Sequence, residues 1–136
     1  MGMFNSKSSR ILMEVLAPGI KFEVGQIAKY PVIINNDMYD RVCEIVSINI
    51  SLSKLEWNFY EISWDFKRHP LISVISRNRA LFDDTADIDL AECYTCWENE
   101  CNERFNQLKA NEEELNRIFI DIYLSLIHIS EPTRRS

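Results

Sequence analysis

The clearest pattern of apolar and polar positions runs from residue 90 to residue 123. Apolar side chains recur there at seven-residue spacing, and a second apolar row lies on the adjoining positions: Tyr94, Cys101, Leu108, Leu115 and Ile122, then Leu90, Trp97 and Ile118. Arg104 and Asn111 interrupt the second row, and neither Gly nor Pro breaks the run. This spacing predicts a long helix with a seam for one or more partner helices. It leaves open whether the partner lies in the same chain.

A second helix is predicted to begin near residue 35. Asn35 or Asn36 can cap its first turn, and Asp37 lies close to its positive end. Apolar residues then recur at helical spacing along one face: Met38, Val42, Ile45 and Val46. The helix is therefore expected to bury that face.

The N-terminal part is predicted to be less regular. Residues 1–10 are polar and are expected to fray, and residues 11–34 are expected to be extended and broken by turns. Within them, apolar and charged residues alternate with the period of a half-buried strand: Ile20, Lys21, Phe22, Glu23 and Val24. The predicted fold class is mainly α with a small β element near residues 20–34.

Aromatic residues are densest in "EWNFYEISWDFKRHPLI", where five of them fall within ten positions: Trp57, Phe59, Tyr60, Trp64 and Phe66. Lys67, Arg68 and His69 follow directly, and Pro70 comes next. Such a segment can stack on bases and lie beside phosphate. It can also be a core element whose basic end caps a helix. The second interpretation is favoured about two to one, since aromatic residues are more often buried.

Composition limits the class of protein. The chain has 136 residues and a net charge of −6, with 46% apolar and 26% charged residues. This fits one small domain or part of a larger one, and it argues against strong DNA binding by this piece alone. The N-terminus has no secretory apolar region, and no run reaches membrane-spanning length. Four cysteines without a secretory signal indicate a reducing cytoplasm.

No catalytic, cofactor or metal site is predicted from the residues. Cys93 and Cys96 share a helical face, but Cys101 points elsewhere, and zinc needs about four converging ligands. The two histidines, His69 and His128, form no grouping with Ser and Asp that suggests nucleophilic catalysis. Three glycines are too few for a phosphate-binding or dinucleotide-binding loop.

Three segments carry a resemblance: "IKFEVGQIAKYPVI", "LEWNFYEISWDFKRHPLI" and "CNERFNQLKANEEELNRIFIDIY". In this order they resemble PglX, the adenine-specific DNA methyltransferase family of BREX phage-defence systems, over roughly residues 18–123. "EISWDF" departs from the family's usual "ETSWDF" at Ile62. The resemblance implies a restriction-modification-like enzyme that transfers a methyl group from S-adenosylmethionine to adenine in DNA, with the base flipped out.

The family's catalytic Asn-Pro-Pro-Tyr signature and its glycine-bearing cofactor loop are absent from this sequence. The resemblance therefore implies a non-catalytic piece of the enzyme, the connector from the methyltransferase domain to the target-recognition region. DNA would be a partner through the full-length enzyme, with other BREX components possible and no membrane. Trp64, Lys67 and Arg68 are the residues expected to contact DNA.

The tail "LSLIHISEPTRRS" begins where the family pattern stops, since the family continues after Tyr123 with Gly-Leu-Gln. It resembles the translation of a sequencing-library adaptor, which predicts that it is not native. The alternative is a native strand over residues 124–129. The expected organisation has four parts: an N-terminal segment (1–17), a connector with the aromatic and basic segment (18–75), a loop and long helix (76–123) and the tail (124–136).

A second hypothesis is a free-standing helical interaction module that uses the seam between Tyr94 and Ile122. A self-sufficient coiled-coil module is expected to form a defined oligomer that melts cooperatively. A connector cut from a larger enzyme is instead expected to expose apolar surface and to aggregate.

Overall fold

The computed structural model describes residues 2–19, 21–81 and 89–130, and within these ranges the chain is helical and contains no strand. The helices are α1 (Lys7–Leu16), α2 (Val24–Ile27), α3 (Asn36–Trp57), α4 (Pro70–Leu81) and α5 (Leu90–Ser130). No described helix combines the length and apolar character needed to cross a membrane.

The chain divides into two compact units. The first comprises Met1–Ser47 and Ala110–Ser136, and the second comprises Ile48–Lys109. Helices α3 and α5 each contribute residues to both units. The four-part organisation expected from the sequence concerns positions within a larger enzyme, and it stays a prediction.

The N-terminal prediction was wrong, because α1 covers residues expected to be frayed or extended. Ser6 caps this helix: its Oγ accepts a hydrogen bond from the Ser9 backbone N–H at 3.2 Å. Arg10 and Glu14 form an ion pair one helical turn apart, with Nε and Oε1 at 3.1 Å. A side-chain cap and a favourable i,i+4 pair both support a helix here.

The predicted β element was also wrong. Within described residues 21–34 the regular element is α2, a four-residue helix whose first turn has a reciprocal capping box between Glu23 and Gln26. Two apolar residues of the alternating pattern lie in the described part, and neither is buried: Phe22 is 55% and Val24 is 84% exposed. A strand needs a neighbouring strand to pair its backbone groups, and alternation alone does not supply one.

The predicted helix near residue 35 is confirmed as α3, and Asn35 caps it. The Asn35 Oδ1 accepts a hydrogen bond from the Asp37 backbone N–H at 2.9 Å. Ile45, on the predicted apolar face, is 1% exposed. It packs in a core cluster of the first unit with three residues of α5, namely Leu115, Phe119 and Ile122. In this unit, the partner of the α5 seam therefore lies in the same chain.

Three polar contacts surround that core. Arg41 donates to Glu114 from Nε at 2.8 Å and from Nη2 at 2.9 Å. The Lys7 backbone N–H donates to Asn116 Oδ1 at 2.7 Å. The Tyr123 hydroxyl donates to the Pro31 carbonyl at 2.7 Å. Each contact joins a different part of the chain to α5.

The second unit contains α4 (Pro70–Leu81), a helix that the sequence analysis did not predict. Pro70 is its first residue, and the Leu71 N–H donates to His69 Nδ1 at 3.3 Å. Proline is favoured at the first helical position, where its missing N–H costs nothing. The helix reaches Leu81, so residues 76–81 are helical where a loop was expected, while residues 82–88 lie outside the described part.

The predicted long helix is confirmed as α5, which has 41 residues. Leu115 and Ile122 of the seven-residue row are 6% and 7% exposed, whereas Tyr94 is 50% exposed. The helix continues past Tyr123 to Ser130, so a strand over residues 124–129 is not present. The remainder of the adaptor-like tail lies outside the described residues.

Candidate nucleic-acid interface

The aromatic and basic segment occupies the connection between α3 and α4, where turns replace regular structure. Ser63, which is 8% exposed, holds this connection together. Its Oγ donates to Asn58 Oδ1 at 2.8 Å and accepts from the Asp65 backbone N–H at 3.2 Å. Its backbone N–H donates to the Tyr60 carbonyl at 2.9 Å. The residues on both sides of Trp64 are thus fixed by hydrogen bonds.

Trp64 itself projects fully into solvent, at 103% relative exposure. Trp57 and Tyr60 are 54% and 55% exposed, while Phe59 and Phe66 are half-buried. The interpretation of this segment as a core element was therefore wrong for three of its five aromatic residues. A fully exposed indole on a backbone segment that hydrogen bonds hold in place can stack on another flat group.

Lys67 and Arg68 lie three and four residues after Trp64, and both are exposed. Neither forms an ion pair with another described residue. Glu61 and Asp65 are exposed in the same connection, so its formal charge is balanced. Contact with phosphate here would depend on the positions of the two cations and not on a uniformly basic surface.

His69 serves a structural purpose. Its Nδ1 accepts the α4 hydrogen bond described above, and its ring lies 5.3 Å from the Trp97 ring at an interplanar angle of 65°. The Trp97 ring also makes an edge contact with Tyr94, with centroids 5.7 Å apart. These contacts place His69, which is itself exposed, at the start of α4 and against Trp97 of α5 in the second unit.

The cysteines of α5 do not converge. Cys93 is buried, Cys96 is exposed and Cys101 is intermediate. Among the described residues, no group of three or more His, Cys, Asp or Glu side chains could hold a metal ion. Arg104 donates instead to Cys101 Sγ at 3.2 Å.

Arg104 makes specific contacts that the sequence analysis did not predict. In the sequence it was noted only as an interruption of the second apolar row. Its Nε donates to Glu56 Oε2 at 3.3 Å, and its guanidinium lies 5.0 Å from the centre of the Phe59 ring. Only 17% of its side chain is exposed. A charged residue at a seam position indicates that it has a polar partner, although the spacing does not identify Glu56 as that partner.

Comparison with known proteins identifies two curated relatives. The chain is 37% identical over 123 residues to the adenine-specific methyltransferase PglX of Lacticaseibacillus casei (strain Zhang), covering 90% of this chain and 10% of the relative. It is 28% identical over 118 residues to the adenine-specific methyltransferase BrxX of Escherichia coli O9:H4 (strain HS), covering 87% of this chain and 8% of the relative.

No family model and no solved structure matches the chain. The chain spans about a tenth of the length of the curated relatives it matches. The resemblance found in the sequence is thereby confirmed: over about nine-tenths of its length, this chain is homologous to a segment of the adenine-specific methyltransferases PglX and BrxX.

Proposed function

We propose that this chain is a non-catalytic segment of a BREX-type adenine-specific DNA methyltransferase, a cytoplasmic phage-defence enzyme. The proposal rests on the 37% identity to PglX over 90% of the chain. The full-length enzyme would transfer a methyl group from S-adenosylmethionine to the exocyclic amine of adenine. The segment would join the methyltransferase domain to the target-recognition region.

The cofactor and the reacting base would be held outside this segment. The four prolines are never adjacent, so the sequence contains no Asn-Pro-Pro-Tyr, and its three glycines form no cofactor loop. We expect the isolated chain to transfer no methyl group from labelled S-adenosylmethionine to duplex DNA, in an assay where the full-length enzyme does. Methyl transfer by purified chain, free of host enzyme, would contradict this assignment.

The proposed contribution to DNA binding lies in the connection between α3 and α4. Trp64 would pack beside a base or sugar, and Lys67 and Arg68 would contact phosphate. The full exposure of Trp64 and the absence of a described ion-pair partner for the two cations support this role. Any contribution is local, because a chain of net charge −6 is not attracted to DNA as a whole.

A salt titration of the full-length enzyme tests the DNA contact. We would change Lys67→Gln and Arg68→Gln together and measure binding of a fluorescent duplex by anisotropy at several salt concentrations. The slope of log K against log salt is negative, and loss of a phosphate contact reduces its magnitude by about 0.9 per contact. The expected result is weaker binding with a slope reduced by about 2.

A matched control uses Lys21→Gln with Lys29→Gln, which removes the same charge from exposed lysines of the first unit. This control should leave the slope closer to that of the unmodified enzyme. Equal slopes for the Lys67 and Arg68 double variant and the unmodified enzyme would eliminate the phosphate role while leaving the methyltransferase assignment intact.

A second candidate function is a helical interaction module. The exposed seam residues at the start of α5 favour it, since Leu90 is 60% and Tyr94 is 50% exposed. Sedimentation of the purified chain distinguishes the two candidates. A single defined oligomer that dissociates on Tyr94→Ala would support the module, and a monomer or a polydisperse aggregate would speak against it.

A further inference from the structure

A groove in the second unit has no role in the proposed DNA contact. It lies between the C-terminal part of α3 and the middle of α5, and its volume is about 550 Å³. Its wall is mainly apolar and aromatic, with a few polar groups: Leu52, Ser53, Glu56, Trp57, Tyr60, Cys101, Asn102, Arg104, Phe105 and Leu108. Three large aromatic side chains in this wall are more than half exposed, Trp57 at 54%, Tyr60 at 55% and Phe105 at 65%.

We infer that this groove is a docking site for an apolar helix from another part of the same polypeptide, outside residues 1–136. The inference rests on the proposed function, which makes the chain one segment of a longer enzyme. Since the chain spans only 10% and 8% of its two relatives, most of such an enzyme would be available to cover the groove.

The chemistry of the wall favours apolar side chains over a nucleic acid. Arg104 is the basic residue of the lining, and it already forms an ion pair with Glu56, with Nε and Oε2 at 3.3 Å. Its guanidinium also lies over Phe59 and donates to Cys101, so it is poorly placed to meet a phosphate. The cations available for phosphate, Lys67 and Arg68, do not line the groove.

The exposed aromatic side chains indicate how much surface the docking helix would cover. A buried aromatic side chain removes roughly 150–250 Å² from solvent, so three that start half exposed would lose on the order of 300 Å². Trp, Tyr and Arg, which all occur in this lining, are the residue types that dominate the binding energy of protein interfaces. A helix with apolar residues at i, i+4 and i+7 presents a ridge that fits between two helices.

Site-specific photo-cross-linking in the full-length protein identifies the occupant. A benzophenone amino acid replaces Phe105 in one variant and Tyr60 in a second, and the cross-linked peptides are identified by mass spectrometry. Asn106 is the matched control, because it is exposed, adjoins Phe105 on α5 and does not line the groove. Mixing isotopically labelled and unlabelled protein separates links within one molecule from links between two.

The expected result is an intramolecular adduct to one helical peptide outside residues 1–136, formed from both groove positions with a several-fold higher yield than from position 106. An adduct to a second copy, to another protein or to bound DNA would overturn the inference. So would equal yields at positions 105 and 106, or no adduct from either groove position.

The two proposals fail separately. If the encoding frame contains no Asn-Pro-Pro-Tyr signature, the methyltransferase assignment fails. The docking inference is then still tested separately, because the cross-linked peptide shows which segment occupies the groove. If the encoding frame begins at Met1 and also ends after Ser136, both proposals fail together.

Discussion

The sharpest test of the fold is truncation of Ile45, which joins α3 to α5 in the first unit. Ile45 is 1% exposed and packs in the cluster of Leu115, Phe119 and Ile122. Ile45→Ala removes buried hydrocarbon worth about 0.8 kcal/mol per methylene and leaves a cavity, so unfolding should become easier by about 3 kcal/mol. The milder Ile45→Val should cost about 1 kcal/mol.

The measurement is urea-induced unfolding of the chain, followed by helical circular dichroism. Ile50→Ala is the control, because it makes the same change on the same helix at a side chain that is 56% exposed. That change should alter the free energy of unfolding by no more than about 0.5 kcal/mol, since alanine is the better helix former and little surface is buried. If Ile45→Ala and Ile50→Ala cost the same, Ile45 does not form the described core. Should the Ala variant fail to fold, Ile45→Val carries the comparison.

Three further changes test individual contacts. Trp64→Ala should leave the free energy of unfolding within about 0.5 kcal/mol while weakening DNA binding by the full-length enzyme, because the side chain is fully exposed; a large loss of stability would show that it is packed. Hydrogen bonds from Arg41 hold the pKa of Glu114 below the ordinary value of 4.5. The contact therefore stabilises the fold above pH 4.5, and this stabilisation is lost as the pH falls through the lowered pKa. Glu114→Gln should lower the free energy of unfolding at neutral pH and lower it progressively less in acid, and a difference that does not depend on pH would contradict the pairing. Tyr123→Phe removes the 2.7 Å hydrogen bond to Pro31 and should cost about 0.5–1 kcal/mol in urea unfolding, whereas no change would show that water replaces it fully.

The sequence predicted the long helix because its pattern is sustained over many turns and no helix breaker interrupts it. The cap at Asn35 and the buried face around Ile45 were predictable for the same reason, since both follow from local geometry. The pattern did not identify the partner of the seam. Leu115 is covered and Tyr94 is half exposed, although both occupy the same seven-residue row.

The predictions from the sequence were wrong where a short residue pattern is compatible with two different local structures. Alternation around Phe22 suggested a strand, but a strand requires a partner that no local pattern can supply. The aromatic segment was predicted to lie in a core because aromatic residues are more often buried. The turn that the hydrogen bonds of Ser63 hold instead exposes Trp64. The Glu56–Arg104 pair joins residues 48 positions apart, so no local spacing predicts it.

Long-read sequencing of the encoding DNA, upstream of the codon for Met1 and through the codon for Tyr123, tests the methyltransferase assignment most directly. We predict one continuous frame that encodes Asn-Pro-Pro-Tyr upstream and continues past Tyr123 with Gly-Leu-Gln in place of the present tail. A stop codon directly after Ser136, with no methyltransferase domain in the upstream frame, would contradict the assignment and favour the helical interaction module.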